Sequence, residues 1–299
     1  MFDSLPNQMQ GFARNGGEAF HPHLWAGYLG GMTPCLGLAG RNAPDVSPYR
    51  YDGVAQANPV LMTITGSPIG PAIRFTGGAA IQWNGDSSLG NKFKVASGER
   101  PITIHAYFRY VHKTSTNKMT LFRSDDATVG SLEYGYHLYV EANADSLKFE
   151  THRGETGLEV PPIVMPIYTA AGALTGGKWH NVVVTWWPKD IEDPNQGQYV
   201  MMNIDGKWIY PTFIYTERDI IHLNSQHSRC GGSFGNTAPD LEVALVEVWN
   251  RRLPWRAIDL LMADPSAVFR RRGGGLSKGS RLVSIGGTAL RRASVTVAG

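Results

Sequence analysis

Along most of this chain apolar and polar residues alternate, and a period of two predicts strands. From Ile102 to Val111 (ITIHAYFRYV), Ile102, Ile104, Ala106 and Phe108 fall on one face, and Thr103, His105, Tyr107 and Arg109 on the other. In Leu147 to Thr151, Leu147 and Phe149 point inward, and Lys148 and Glu150 outward. Gly176 to Trp187 reads as a turn and then a core strand in which Val182, Val184 and Trp186 alternate. Ala72 to Trp83 reads as a hairpin turning at Gly77-Gly78, and Tyr199 to Ile209 as one turning at Asp205-Gly206, a type I′ signal. Leu24 to Leu38 predicts a strand with Trp25 and Tyr28 before a Gly/Pro-rich turn. Met119 to Phe122, Tyr134 to Val140, Ile220 to Leu223 and Arg229 to Phe234 complete the strand set, while Pro161 to Ala173 fits no element.

The pattern changes once, near the end. Leu241 to Trp249 is a strand whose alternation breaks at Leu245-Val246, as a bulge or a strand buried on both faces would do. Asn250 stops it. Pro254 suits a first helical turn, and Trp255, Ile258, Leu261 and Met262 recur at helical spacing up to Asp264-Pro265. A buried strand therefore runs into one amphipathic helix, with Leu253 and Ile258 giving it an apolar side. About a dozen strands and one late helix describe an all-β, antiparallel two-sheet sandwich.

Composition agrees. The 299 residues are 42% hydrophobic, 18% charged and rich in glycine (35) and proline (18), as short strands and tight turns require. Cys35 and Cys230 are far apart; free buried thiols are the simpler expectation, with a disulfide the alternative. No apolar run is long enough for a membrane span, and the first 17 residues hold no apolar signal core. The net charge of +3 conceals an asymmetry. Residues 270–299 carry seven basic residues and no acidic one, which leaves the body at −4. The expected organisation is an irregular leader (1–23), a sandwich (24–269) and a basic extended arm (270–299).

The order of the pieces resembles the concanavalin A-like lectin/glucanase superfamily in its laminin-G-like or pentraxin-like form. The resemblance rests on Gly70 to Phe75 (GPAIRF), Thr103 to Arg109 (TIHAYFR), Gly177 to Trp186 (GKWHNVVVTW), Ile204 to Lys207 (IDGK) and Ala244 to Leu261. It implies a jelly-roll sandwich over residues 24–269. The closing phrase, carried on to Arg270, is similar to lectin-like domains in virion proteins of tailed bacteriophages, which implies a virion location.

Chemistry is sparse. Glu242 and Glu247 echo the glucanase strand motif E-x-D-x-x-E, in which two carboxyls about 5 Å apart act as nucleophile and acid/base. Ala244 replaces the middle aspartate, so no catalytic residue is assigned. The resemblance implies rim Ca²⁺ sites, for which Asp125, Asp126 and Asp240 are candidates, with further oxygens at Asp190, Glu192, Asp193 and Asn236. His21 and His23 lack a third metal ligand, and His105 or His137 on a sheet face fits a hydrogen-bonded side chain better than a ligand. Trp83, Trp187, Trp208, Tyr49 and Tyr51 are candidates for a sugar-stacking platform, against core and rim packing.

Two functions compete. In the first, the sandwich is a non-enzymatic phage structural protein, a capsid decoration or head–tail accessory. It docks to other virion proteins or like subunits through Arg270, Arg271, Arg272, Leu282, Ile285, Arg291, Arg292, Val295 and Val297. The segments Leu282 to Ile285 and Ser294 to Val297 have strand character suited to β-addition in a homo-oligomeric assembly. In the second, it is a glycan-binding lectin module for a host surface. A glycoside hydrolase ranks third. Nucleic-acid binding by the arm would be weak and salt-sensitive, with no aromatic interleaving.

Overall fold

The computed structural model describes residues 21–36, 42–43, 53–56, 62–76, 79–84, 93, 101–111, 118–126, 134–152, 167–187, 199–210, 212–214, 227–231, 233–234 and 240–270. Two antiparallel sheets carry these residues. The first contains β1 (Tyr28–Met32), β4 (Met62–Ser67), β5 (Gly70–Phe75), β7 (Ile102–Tyr110), β12 (Trp179–Trp187), β13 (Tyr199–Ile204), β14 (Lys207–Ile209) and β18 (Leu241–Trp249). Its order is β14-β13-β12-β7-β18-β5-β4, with β1 also on β18. The second contains β2 (Asn42–Ala43), β3 (Gly53–Gln56), β6 (Ala80–Asn84), β8 (Lys118–Asp126), β9 (Tyr134–Glu141), β10 (Ser146–His152), β11 (Ile167–Ala170), β15 (Thr212–Ile214), β16 (His227–Gly231) and β17 (Ser233–Phe234). The β-sandwich expected from the alternation is present, and the helix near the C-terminus, α1, spans Trp255–Ala263.

The sandwich core lies between the sheets. Ile102, Ile104, Ala106 and Phe108 of β7 meet Leu138, Val140, Leu147 and Phe149 of β9 and β10 in one cluster, as their alternation requires. In β18 the register shifts between Val243 and Leu245, the bulge expected from the broken alternation. Asp205 and Gly206 both take positive φ (52° and 82°), the backbone of a type I′ turn. Cys35 and Cys230 do not pair with each other, and Cys230 is a buried thiol.

Three expectations need correction. Ala72 to Trp83 is not a hairpin. β5 pairs with β4 and β18 in the first sheet, whereas β6 pairs with β3 and β16 in the second, so the chain changes sheets there. The true partner of β5 is β4, joined to it through Pro68-Ile69. Trp25 is not in a strand but in a 3₁₀ turn, Pro22–Trp25. Pro161 to Ala173, left without an element, contributes the strand β11. Ile220 to Leu223 lies outside the described residues.

A second apolar cluster covers the outer face of the first sheet. Leu24, Trp25 and Tyr28 pack there with Val183, Leu245, Trp249, Leu253, Ala257, Ile258, Leu261 and Phe269. Two indoles tie the ends of the sandwich together: Trp25 Nε1 donates to Val268 O at 2.9 Å, and Trp249 Nε1 to Leu24 O at 2.7 Å. Leu253 and Ile258 face inward as expected, but Trp255 does not. It is 44% exposed, because the helix buries Ala257, Ile258 and Leu261. At about 100° per residue, Trp255 sits roughly 110° from the middle of that stripe.

Candidate functional site

The first sheet's outer face holds the chain's most suggestive chemistry. The β18 bulge puts Glu242 and Glu247 on this face, opposite Arg109 and His105 of β7. Four ladder steps separate those partners, so the two glutamates spring from backbone about 13 Å apart at about 3.3 Å per residue. A retaining carboxylate pair needs about 5 Å. Each is also engaged elsewhere. Arg109 donates to Glu242 from Nη2 (2.5 Å) and Nε (3.0 Å).

Glu247 is fully buried and lies 2.8 Å from His105 Nδ1. His105 Nε2 lies 2.8 Å from Asn181 Oδ1, while Asn181 Nδ2 donates to Leu261 O (2.8 Å) and Met262 O (3.3 Å). The Asn181 amide thus presents its oxygen to His105, whose Nε2 must carry the proton. Burial pushes the Glu247 carboxyl up, and the hydrogen bond and charge of His105 oppose this without cancelling it. Next to this network, His180 Nδ1 sits 2.7 Å from Asp205 Oδ2, and Asn181 N–H donates to Asp205 Oδ1 at 2.8 Å. Burial pulls His180 down, but the Asp205 and Thr175 hydrogen bonds and the Asp205 charge outweigh it and leave its pKa raised. Burial likewise raises Asp205, but its bonds to His180 and Asn181 leave it lowered. These groups fasten α1 and the β13–β14 turn to the sheet; His105, His180, Asn181 and Glu247 are buried, Asp205 is exposed, and all are oriented by structural partners. His137 on the second sheet is likewise hydrogen-bonded, with Nε2 3.0 Å from Thr120 Oγ1.

An aromatic cluster borders the helix, in which Trp255 is exposed and Trp187 and Trp208 are half-buried. Trp187 at the end of β12 and Trp208 on β14 project from the outer face. The Arg252 guanidinium lies 4.4 Å from the Trp187 ring centroid and 5.9 Å from that of Trp255. Trp255 meets Trp208 edge to face, with centroids 4.3 Å apart at 70°. Three indoles and a guanidinium thus form one continuous ledge. The Thr103 hydroxyl sets its position: it donates to Arg251 O (2.8 Å) and accepts from Leu253 N–H (3.2 Å), fixing the backbone on both sides of Arg252.

Of the platform residues read from sequence, Trp187 and Trp208 are therefore brought together. Trp83 is not with them; at 2% exposure it packs on Phe93 and Phe122 inside the sandwich and offers no face to a ligand. Tyr49 and Tyr51 lie outside the described residues. Arg252 and Trp255 were missed, because a tryptophan at helical spacing reads as core. The signal available was the Asp259 one turn on, which places Trp255 at the stripe's flank. Asp125 and Asp126 belong to β8, and Asp240 pairs with Arg74 at 3.1 Å. The rings of His21 and His23 stand edge to face. Among the described residues no three His, Cys, Asp or Glu side chains gather to hold a metal, and no helix is long and apolar enough to cross a membrane. Arg270 pairs with Asp264 of its own chain. Arg271, Arg272, Leu282, Ile285, Arg291, Arg292, Val295 and Val297 lie outside the described residues.

Fold and site together define an antiparallel β-sandwich with an aromatic–guanidinium ledge beside its late helix. No protein-family model matches the sequence, and no curated protein matches it. Solved structures share the fold. The binding domain of botulinum neurotoxin DC, in complex with rat synaptotagmin II, aligns with a TM-score of 0.55 at 12% identity over 80% of this chain and 52% of its own. The type C toxin, in a structure concerned with cell entry dependent on two ganglioside molecules, gives the same score and identity over 81% and 52%. The Trypanosoma rangeli sialidase in complex with sialic acid aligns at 0.54 and 17% identity over 81% of this chain and 34% of its own. The chain thus spans about half of the toxin domains and a third of the sialidase, and what is shared is the fold.

Proposed function

We propose that the chain is a lectin-like, glycan-binding module with no catalysis of its own. The ledge formed by Trp187, Arg252, Trp255 and Trp208 carries this reading. Indole faces stack on the C–H face of a pyranose, and an exposed tryptophan beside two others is a costly use of apolar surface unless something covers it. The sandwich is also of the kind found in proteins whose structures concern gangliosides or sialic acid, although a shared fold alone does not assign a ligand. A glycan array followed by calorimetry tests the proposal. Trp255→Ala should weaken the binding seen in the parent protein, and a parent that binds no glycan would sink the reading. Running both with Ca²⁺ and with a chelator decides whether oxygens at Asp125, Asp126 or Asp240 recruit the cation.

A second reading rests on the acid-free basic stretch at 270–299 and on the phage-like closing phrase. The module would be a virion component of a tailed bacteriophage, docked to virion proteins or like subunits by Arg271, Arg272, Arg291 and Arg292, with Leu282, Ile285, Val295 and Val297 adding strands. Truncation after Arg272 should leave melting unchanged and abolish incorporation into the particle. Normal incorporation would refute it.

A further inference from the structure

Resting on the glycan-binding reading, we infer that the ledge selects sugars that carry a carboxylate, with Arg252 as the residue that reads it. The stacking of Arg252 on Trp187 occupies the flat face of the guanidinium, 4.4 Å from the ring centroid. It leaves the N–H edge unused, since cation–π contact consumes no donor. A guanidinium held flat in this way presents a fixed fork that matches a carboxylate bidentately.

The surroundings of the guanidinium leave its charge unanswered. Among the described residues neither Arg252 nor Arg256 pairs with a carboxylate, although Arg74, Arg109 and Arg270 each do. The first turn of α1 carries no acidic residue and has no side-chain cap, so it adds no competing anion. The Thr103 hydroxyl, bonded to Arg251 O and Leu253 N–H, holds the Arg252 backbone against the sheet, and Thr185 backs Thr103 at 3.2 Å. Position and plane of the guanidinium are therefore set before any ligand arrives, which lowers the ordering cost of binding. Trp255, 5.9 Å from the same guanidinium, supplies the apolar surface for the pyranose ring. A uronate or sialate has this spacing of features: a carboxylate on a ring carbon beside an apolar C–H face. A neutral sugar can use the indole but leaves the fork unpaired.

The test compares matched pairs on the intact chain: sialyllactose with lactose, and oligogalacturonate with its methyl ester. The acidic member of at least one pair should bind about tenfold to a hundredfold more tightly, as a charge-assisted bidentate contact implies. That preference should shrink as salt rises. Arg252→Gln should erase the preference, so that the two members of a pair bind alike, and Trp255→Ala should weaken both members. Thr103→Val, which lets the Arg252 backbone move, should lower the preference without removing the guanidinium. Both exposed variants should keep the parent melting temperature. Equal binding of acidic and neutral members, or a preference that survives Arg252→Gln, overturns this inference and leaves the glycan reading standing. Failure of every sugar on the wider array overturns both.

Discussion

Trp249→Ala is the sharpest probe of the outer apolar layer. The side chain is fully buried, packs edge to face on Tyr28 at 5.4 Å, and donates through Nε1 to Leu24 O. Removing a buried indole costs about 3–5 kcal/mol through lost transfer energy and the cavity left behind. The Leu24 carbonyl also loses its partner, which adds about 1–3 kcal/mol if no water replaces the donor. Against a typical total of about 5–15 kcal/mol, the variant should be marginal at 37 °C. Trp249→Phe separates the two contributions: it keeps most of the apolar area but loses the donor, and should cost about 1–3 kcal/mol. Urea unfolding followed by far-UV circular dichroism gives both values. Because Trp249 lies under the helix rather than between the sheets, limited proteolysis should nick Trp255–Phe269 in the alanine variant before the sandwich. Trp186→Ala, whose side chain is buried between the sheets, should instead expose the whole fold. A loss below 1 kcal/mol for Trp249→Ala, or equal losses for Ala and Phe, would refute the layer described here.

Gly31→Ala should prevent β1 from pairing with β18, because an added Cβ would stand 1.9 Å from Val246 O; wild-type melting of this variant would show the pairing to be wrong. The His180–Asp205 pair predicts a pH-dependent stabilisation. The raised His180 contributes fully below its ordinary pKa of 6.5 and is lost as pH climbs through its folded value, whereas the lowered Asp205 contributes above 3.8 and is lost as pH falls through its folded value. The stability difference between wild type and Asp205→Asn should therefore peak between pH 3.8 and 6.5, and a difference that is flat from pH 3 to 9 contradicts it. The separation of Glu242 from Glu247 predicts no β-glucan hydrolysis by this pair; turnover that disappears in Glu247→Gln would reverse that conclusion.

Strands were legible where one face is apolar and the other polar, as at Ile102–Tyr110, and where a turn has a chemical signature, as at Asp205-Gly206. The hairpin assigned to Ala72–Trp83 failed because alternation marks a strand but not the sheet it joins. Two neighbouring strands with a glycine corner look alike whether they fold back or cross over. Trp255 failed for a related reason: helical spacing gives a period, and two or three apolar residues do not fix which side of the wheel faces in. The platform at Trp187 and Trp208 was half visible, since both are aromatic and outward-facing. Its other half, Arg252 and Trp255, depends on where the late helix lands.

That landing is set by the face that the sequence marks as polar. Thr103 and His105 fall on the polar face of their strand and Asn181 precedes the alternating run from Val182, yet all three are buried. A buried polar face is tolerable when every group finds a partner. Here the covering segment supplies main-chain partners: Arg251 O and Leu253 N–H for Thr103, and Leu261 O and Met262 O for Asn181, which in turn bonds His105. Apolar contact alone would let the helix slide along the sheet, because hydrophobic burial is not directional. The directional bonds pin both ends of the segment from Arg251 to Met262, and a displaced helix would leave these groups buried and unpaired. The polar residues of β7 and β12 thus fix the position of α1, and with it the place where Trp255 meets Trp208 and Arg252 meets Trp187.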